Sequence, residues 1–267
     1  MFENAGTLRH AWLDDWMNQA YMQKRSAPTY PSRNLHGSIV HELGRRIVTG
    51  TYETGMTLPV EEMLREELNV SRNALREAVK VLSAKGLLKV KARTGTQVQP
   101  RGKWHLTDPD VLAWAMTGEV DREVFSWLTE FRKVIEPAAA EIAAARASTG
   151  ERANIERQMR EFERANARLD PGEVTLEQYG EVDMDFHEAI FLASGNPFLQ
   201  SVTSSISSAL TRSRRLTDKI PGARERAFPV HMEIGQAVVD GRSKDARTAM
   251  LELFELVSED IESAYSE

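Results

Sequence analysis

Between Leu35 and Val98 the apolar positions change period repeatedly, and each change marks an element. Ile39, Leu43, Ile47 and Val48 recur at helical spacing and predict a first helix over Leu35–Gly50. Thr51–Leu58 reads as a turn. Leu64, Leu68, Val70, Leu75, Val79 and Leu82 then form one apolar set shared by two shorter helices, Val60–Leu68 and Ser71 to about Lys85, with Asn69 at the break. Two helices joined by so short a turn pack at a steep angle. The second leaves Arg72, Asn73, Arg76 and Lys80 on its polar face, and Gly86 stops it. Leu87–Val90 and Thr96–Val98 read as strands around a basic tip, Lys91–Gly95. A helix sized for the major groove beside a basic hairpin is a winged helix-turn-helix.

Beyond Asp121 the pattern is helical throughout. The predicted helices are Asp121–Ala147, Arg152–Leu169, Thr175–Ser194, Pro197–Asp218, Arg226–Val239 and Ser243–Ala264, with Pro137 expected to kink the first. Breaks are expected at Gly150, Asp170-Pro171-Gly172, Gly195-Asn196-Pro197, Ile220-Pro221-Gly222 and Gly241. The fold class is mostly α: an N-terminal winged helix-turn-helix followed by an all-α helical bundle. The expected organisation is an extension over 1–33, a DNA-binding domain over 34–100, a connector over 101–120 and an all-helical domain over 121–267. Trp12, Trp16 and Ala20 make a short amphipathic helix plausible in the extension, either as a clasp or as a mobile lead-in. In the connector, Thr107-Asp108-Pro109-Asp110 launches a helix over Val111–Met116, and Trp104 and Trp114 are placed to wedge the two halves together.

The net charge of −6 looks wrong for a DNA binder until it is divided along the chain. Arg33–Lys103 holds 13 Lys/Arg against 7 Asp/Glu, Trp104–Glu267 holds 18 against 30, and 1–32 balances at three each. A basic module joined to an acidic one suits a DNA reader carried on a body that does not itself adhere to DNA. Cysteine is absent, which excludes disulfides and thiolate metal sites. No apolar run approaches a membrane span, and Asp14 and Asp15 interrupt any leader-like pattern, so a cytoplasmic protein is expected.

The reading module resembles the GntR-type bacterial transcription regulators. The matching residues are Leu58-Pro59, Val70-Ser71-Arg72, Leu75-Arg76-Glu77-Ala78, Gly86-Leu87 and Gly95-Thr96-Gln97-Val98, preceded by the lead-in Ile47 to Gly55. The resemblance implies DNA contact by Ser71, Arg72, Asn73 and Arg76 of the second helix and by Arg93, Thr94 and Gly95 of the wing. Arg72 is the strongest candidate for a base edge, since arginine pairs two-pronged with guanine. Where well-understood relatives carry a further arginine, this chain has Glu62.

Asp183 and His187 are four apart, hence on one helix face, and His231 lies on a later helix that could cross it. Spacing alone leaves a metal site, a surface pair and a buried hydrogen bond all open. The helical half resembles the FadR-like branch of the same family, with its ligand-sensing (FCD) domain. The matching words are Phe131-Arg132 with Glu136-Pro137, Ala143-Ala144 with Arg146, Asp183 with Phe186-His187, Asn196-Pro197 and His231. That resemblance implies a divalent metal ion on Asp183, His187 and His231, zinc ahead of nickel or manganese. Metal-binding members have a further histidine where this chain has Leu253. It also implies effector binding by Arg132, whose alternative role is an ion pair with Glu136 one turn on. Arg212, Arg214 and Arg215 could add to an anion pocket. The connector words Lys103-Trp104 and Asp110-Val111-Leu112 with Trp114 are similar to those of sugar-acid-sensing members.

The expected function is a sequence-specific DNA-binding transcription regulator. It would be a homodimeric repressor released from a double-stranded DNA operator by a small organic acid, with no membrane partner and no enzymatic activity. The alternative is a metal-dependent enzyme acting on a small acid. Against it, no activated nucleophile or general base accompanies the candidate ligands, and His187-Glu188 does not extend to a zinc-protease motif.

Overall fold

The computed structural model describes residues 35–91, 93–116, 122–203 and 220–264. The N-terminal extension, Arg212, Arg214 and Arg215 lie outside the described residues, and of the helix expected over Pro197–Asp218 only 197–203 lies within them, helical as expected. The elements are α1 (Leu35–Val48), α2 (Glu61–Leu68), α3 (Arg72–Ala84), β1 (Leu88–Lys91), β2 (Gly95–Val98), α4 (Pro109–Ala115), α5 (Arg122–Arg146), α6 (Thr149–Leu169), α7 (Leu176–Ala193), α8 (Ala223–Val239) and α9 (Ser243–Ala264). Among the described residues no helix is long and apolar enough to cross a membrane.

The reading module forms where the apolar periods place it. Asn69 ends α2 in the left-handed conformation, and its N–H reaches back to the last turn. Ser71 then caps α3, its side chain accepting from the Ala74 N–H at 3.2 Å. The hairpin pairs Leu88 with Val98 and Lys91 with Gly95, antiparallel. One pairing was not legible in the sequence: the turn before α2 lies along β2, with Thr57 bridging Gln97 and the Leu58 N–H donating to the Thr96 carbonyl at 2.8 Å. So short a stretch, ended by Pro59, shows no alternation to betray it.

Capping residues explain where the sequence expectations were off by a turn. Gly150 is not a break; it sits in the first turn of α6, which starts early because Ser148 and Glu151 cap it reciprocally. Thr175 and Gln178 do the same for α7. Asp108 caps α4 from outside Pro109, so that helix opens before Val111. Helix α5 is continuous across Pro137.

Two cores result. The bundle core is built on Ile155, Phe162, Phe186, Ile190, Ile234, Val238, Met250 and Phe254, with Ala140, Ala143 and Ala144 of α5 letting neighbouring backbones approach. The other core runs from α1 through the reading module and α4 into Val124, Phe125 and Leu128 of α5 and Met184 of α7. Both tryptophans singled out in the connector are buried in it. Trp114 lies on Gly44 of α1, where a Cβ would sit 2.3 Å from the ring, and its indole N–H donates to His41 Nδ1 at 3.0 Å. Gly86 has φ +78° and a Cβ there would lie 2.1 Å from the Lys103 carbonyl oxygen, so glycine is required on both counts.

Two polar joints fasten these parts. Lys85, at the end of α3, places its ammonium 2.7 Å from Asp108 and 2.8 Å from Asp110. Burial pushes the Lys85 pKa down, but the two carboxylates outweigh it and hold it above the usual lysine value. In the bundle, Arg152 donates to the carbonyls of Ala144, Ala147, Val238 and Val239, the ends of α5 and α8, where helix dipoles favour a cation.

Replacing Arg152 with Met strands those carbonyls and should cost about 2–3 kcal/mol in chemical unfolding followed by circular dichroism. Lysine should restore less than half, because a point charge cannot fork to two helix ends. For Lys85 the raised pKa means a stabilisation that is complete below about pH 10.4, the unfolded value, and lost as pH climbs through the folded one. The melting-temperature gap between wild type and Lys85→Gln should therefore hold steady from neutral pH to about pH 10 and narrow above it.

Candidate functional site: a reading face and a buried carboxylate-histidine centre

Arg72, Asn73 and Arg76 project from the solvent side of α3, opposite the buried Leu75, Ala78 and Leu82. The wing stands beside them. Arg93 holds φ +68° at its tip, and Thr94 and Gly95 are exposed next to it. Between α2, α3 and the wing lies an open groove of about 860 Å³, bordered by Arg76, Lys80, Lys91 and Arg93. Of the residues singled out for DNA contact, Arg76, Arg93, Thr94 and Gly95 border this groove, and Ser71, Arg72 and Asn73 are exposed at the start of α3. It adds a contact the sequence reading missed: Glu61, at the start of α2, takes Arg72 Nε on one oxygen and Arg76 Nε on the other, at 3.2 Å for the second. No periodicity connects a residue on α2 with two on α3.

The second site lies inside the bundle. Asp183 and His187 come from α7 and His231 from α8, and one donor atom of each falls within 4.8 Å of the others. All three side chains are buried. Asp183 Oδ1 is 3.1 Å from His231 Nε2 and 3.6 Å from His187 Nε2. The opposite ring nitrogens face acceptors: His231 Nδ1 lies 2.8 Å from the Ala227 carbonyl, and His187 Nδ1 lies 2.6 Å from Glu136 Oε2. Those acceptors favour a proton on each Nδ1, which turns each Nε2 lone pair toward the same carboxylate oxygen. Three electron-rich atoms converging at buried side chains are mutually repulsive unless a cation stands among them. The close contact of His187 Nδ1 with Glu136 lacks hydrogen-bonding direction and acts through charge. Two imidazoles and a carboxylate, steadied by an outer carboxylate, are a donor set that can hold a divalent metal ion. Phe162 and Phe186 pack edgewise on the imidazoles, at 5.1 Å from Phe162 to His231 and 5.5 Å from Phe186 to His187, and fix the ring planes.

Arg132 does what its alternative reading supposed: its Nε donates to Glu136 Oε1 at 2.6 Å, and both residues are buried. It also lines the pocket that opens onto the three candidate ligands, its guanidinium 4.9 Å from the centre of the Phe254 ring. Glu136 therefore joins Arg132 to His187, a bridging role that the sequence reading, which knew it only as an ion-pair partner, did not assign. Leu253 sits in the pocket wall and offers no donor. Arg224 and Asp260 line the same wall, and neither was singled out beforehand. Arg224 is held by Asp170 and Asn166, and Asp260 by Arg226. The internal volume is about 60 Å³.

The two halves match known families separately. Residues 35–98 match the model for bacterial regulatory proteins of the gntR family, and residues 128–256 match the FCD domain. The galactonate operon transcriptional repressor of Escherichia coli (strain K12) is 38% identical over 175 residues, 66% of this chain and 73% of that protein. The HTH-type transcriptional regulator LutR of Bacillus subtilis (strain 168) is 30% identical over 226 residues, covering 83% of this chain and 98% of its own. A solved structure of Lar, described as controlling expression of the Listeria monocytogenes agr system, superimposes with a TM-score of 0.60 at 20% identity, over 86% of this chain and 98% of that one, a likeness of fold. With a winged helix-turn-helix matching the one model and a helical bundle matching the other, this chain belongs to the gntR family of bacterial regulatory proteins and is a DNA-binding transcription regulator with an FCD domain.

Proposed function

We propose that this regulator is a homodimeric repressor that leaves its operator when a small organic acid enters the bundle pocket. Two copies of the winged helix would address the two halves of a pseudo-palindromic site. Arg72 and Arg76 read base edges, Ser71 and Asn73 seat the helix on the backbone, and Arg93, Thr94 and Gly95 carry the wing to the neighbouring groove. A divalent ion, zinc ahead of nickel or manganese, is held by Asp183, His187 and His231, with Glu136 orienting His187. When bound, it supplies a Lewis-acidic anchor for carboxylate and hydroxyl oxygens. Arg132 clamps a carboxylate of the acid from the opposite wall.

The observation that carries this reading is the placement of Arg132 and the three candidate ligands around one pocket that also touches the reading module's support. Helix α5 packs Val124, Phe125 and Leu128 into the core shared with the reading module and carries Arg132 and Glu136 over the next two turns. Leu128 to Glu136 spans about 12 Å of one rigid helix. Met184, beside Asp183, packs into the same core. An acid that binds one placement of α5 better than another would shift the reading heads by that difference in affinity and no more. A pocket of 60 Å³ holds about four or five waters. A small hydroxy-carboxylate suits it as it stands, and a sugar acid, the class suggested by the galactonate-repressor relative, requires it to widen.

Fluorescence anisotropy against the DNA flanking the protein's own gene should show binding tighter than to a scrambled duplex, weakened by one member of a panel of small carboxylates and sugar acids. An operator affinity indifferent to every acid in the panel would defeat the release mechanism. For the metal, elemental analysis of purified protein should find a divalent ion that His187→Ala lacks. Re-adding zinc to chelated wild type at a hundredfold excess over Kd should stabilise it by about 2.7 kcal/mol in thermal denaturation and leave His187→Ala unmoved.

A further inference from the structure

Glu61 is out of place for a DNA-binding face. It puts a carboxylate between the two arginines proposed to read bases, on a surface that must meet phosphates. The contact is specific. Arg72 and Arg76 are one turn apart on α3, so their guanidinium groups are neighbours and repel. Glu61 arrives from a different helix and divides its oxygens between them, one to each Nε, at 3.2 Å for Arg76. No other hydrogen bond reaches either guanidinium among the described residues, which leaves the Nη atoms available to a partner.

This triad does little for folding. The side chains are 62% exposed at Arg72, 56% at Arg76 and 34% at Glu61, and exposed ion pairs contribute little to stability. The carboxylate is nonetheless firmly ionised: partial desolvation pushes its pKa up, and the hydrogen bonds from Arg72 and Arg76 outweigh that and hold it below the usual range. What Glu61 changes is the state of the two arginines. Free arginines wander among rotamers and adhere to any phosphate. Tethered through Nε, they present their Nη atoms in one orientation, so less freedom is lost when a matching base edge arrives. The carboxylate also removes one positive charge from the face, a cost paid on every duplex alike.

We infer that Glu61 is a specificity-determining residue that orients Arg72 and Arg76 for base reading and suppresses their binding to non-cognate DNA. The inference rests on the proposal that these two arginines read the operator.

The test uses the full chain and two duplexes: one selected from a random pool by the wild-type protein, and a scrambled one of the same composition. Glu61→Gln should bind the scrambled duplex about tenfold tighter, with a salt dependence steeper by about one unit, and should lose most of the preference for the selected duplex. Glu61→Asp keeps the charge but shortens the reach. It should leave scrambled binding near wild type while weakening the selected duplex, an outcome that a purely electrostatic role would not give. Glu66→Gln is the control, because it removes the same charge from an exposed position on the same helix and Glu66 makes no ion pair with either arginine. It should strengthen both duplexes equally and preserve the preference. Far-ultraviolet circular dichroism and melting temperature should match wild type in all three variants. A preference retained in Glu61→Gln, or lost equally in Glu66→Gln, overturns the role given to Glu61. If Arg72→Ala and Arg76→Ala keep full preference for the selected duplex, the base-reading assignment fails first and the inference falls with it.

Discussion

Glu136 is a carboxylate cut off from water, with a guanidinium on one oxygen and an imidazole on the other. Burying it is expensive, and the position is tolerable only while Arg132 and His187 both stay in place. Removing one partner of a buried pair of this kind ordinarily costs about 3–5 kcal/mol. The constraint spreads outward. It fixes α5 against α7, since Arg132 and Glu136 belong to one and His187 to the other. It orients the His187 ring, and so decides which nitrogen faces Asp183 and His231. It keeps Arg132 in the pocket wall while neutralising it, so the wall retains a cation without an unpaired buried charge.

The same helix links chemistry to reading. Its early turns, through Val124, Phe125 and Leu128, are part of the core on which the winged helix rests. The reading module is then tied down by Trp114 against Gly44, by Lys85 between Asp108 and Asp110, and by Arg101 against Glu123. Val124, Phe125 and Leu128 pack in one core with the reading module, so a displacement of α5 would be passed on through packed side chains. A close-packed joint has few arrangements open to it, which is what allows a small change in a pocket to select between discrete placements of a domain.

The reading face shows a different economy. Where the pocket relies on burial, the face relies on geometry in water. Ser71 sets the start of α3, Asn69 sets the turn before it, and the wing is aligned by its register with β2 and with the segment around Thr57. Exposed contacts such as those of Glu61 add little to stability, yet they tether two arginines of that face.

The sequence by itself determined the elements, their order and the kind of each surface. Apolar period is a local property, and it marked α2, α3, the hairpin and α5 to α9 to within a turn; the misses at Gly150 and before Val111 came from caps, whose reach is a few atoms. The i, i+4 spacing placed Asp183 with His187 and Arg132 with Glu136, because a helix fixes neighbours one turn apart. What only the tertiary structure decided were meetings between helices: Glu136 with His187, His231 with Asp183, Glu61 with Arg72 and Arg76, and Trp114 with Gly44. The physical reason is that such contacts depend on how helices cross and rotate. That is settled by the fit of whole apolar faces, such as Phe162 against Phe186 and His231, and no single stretch of sequence contains both sides of the fit.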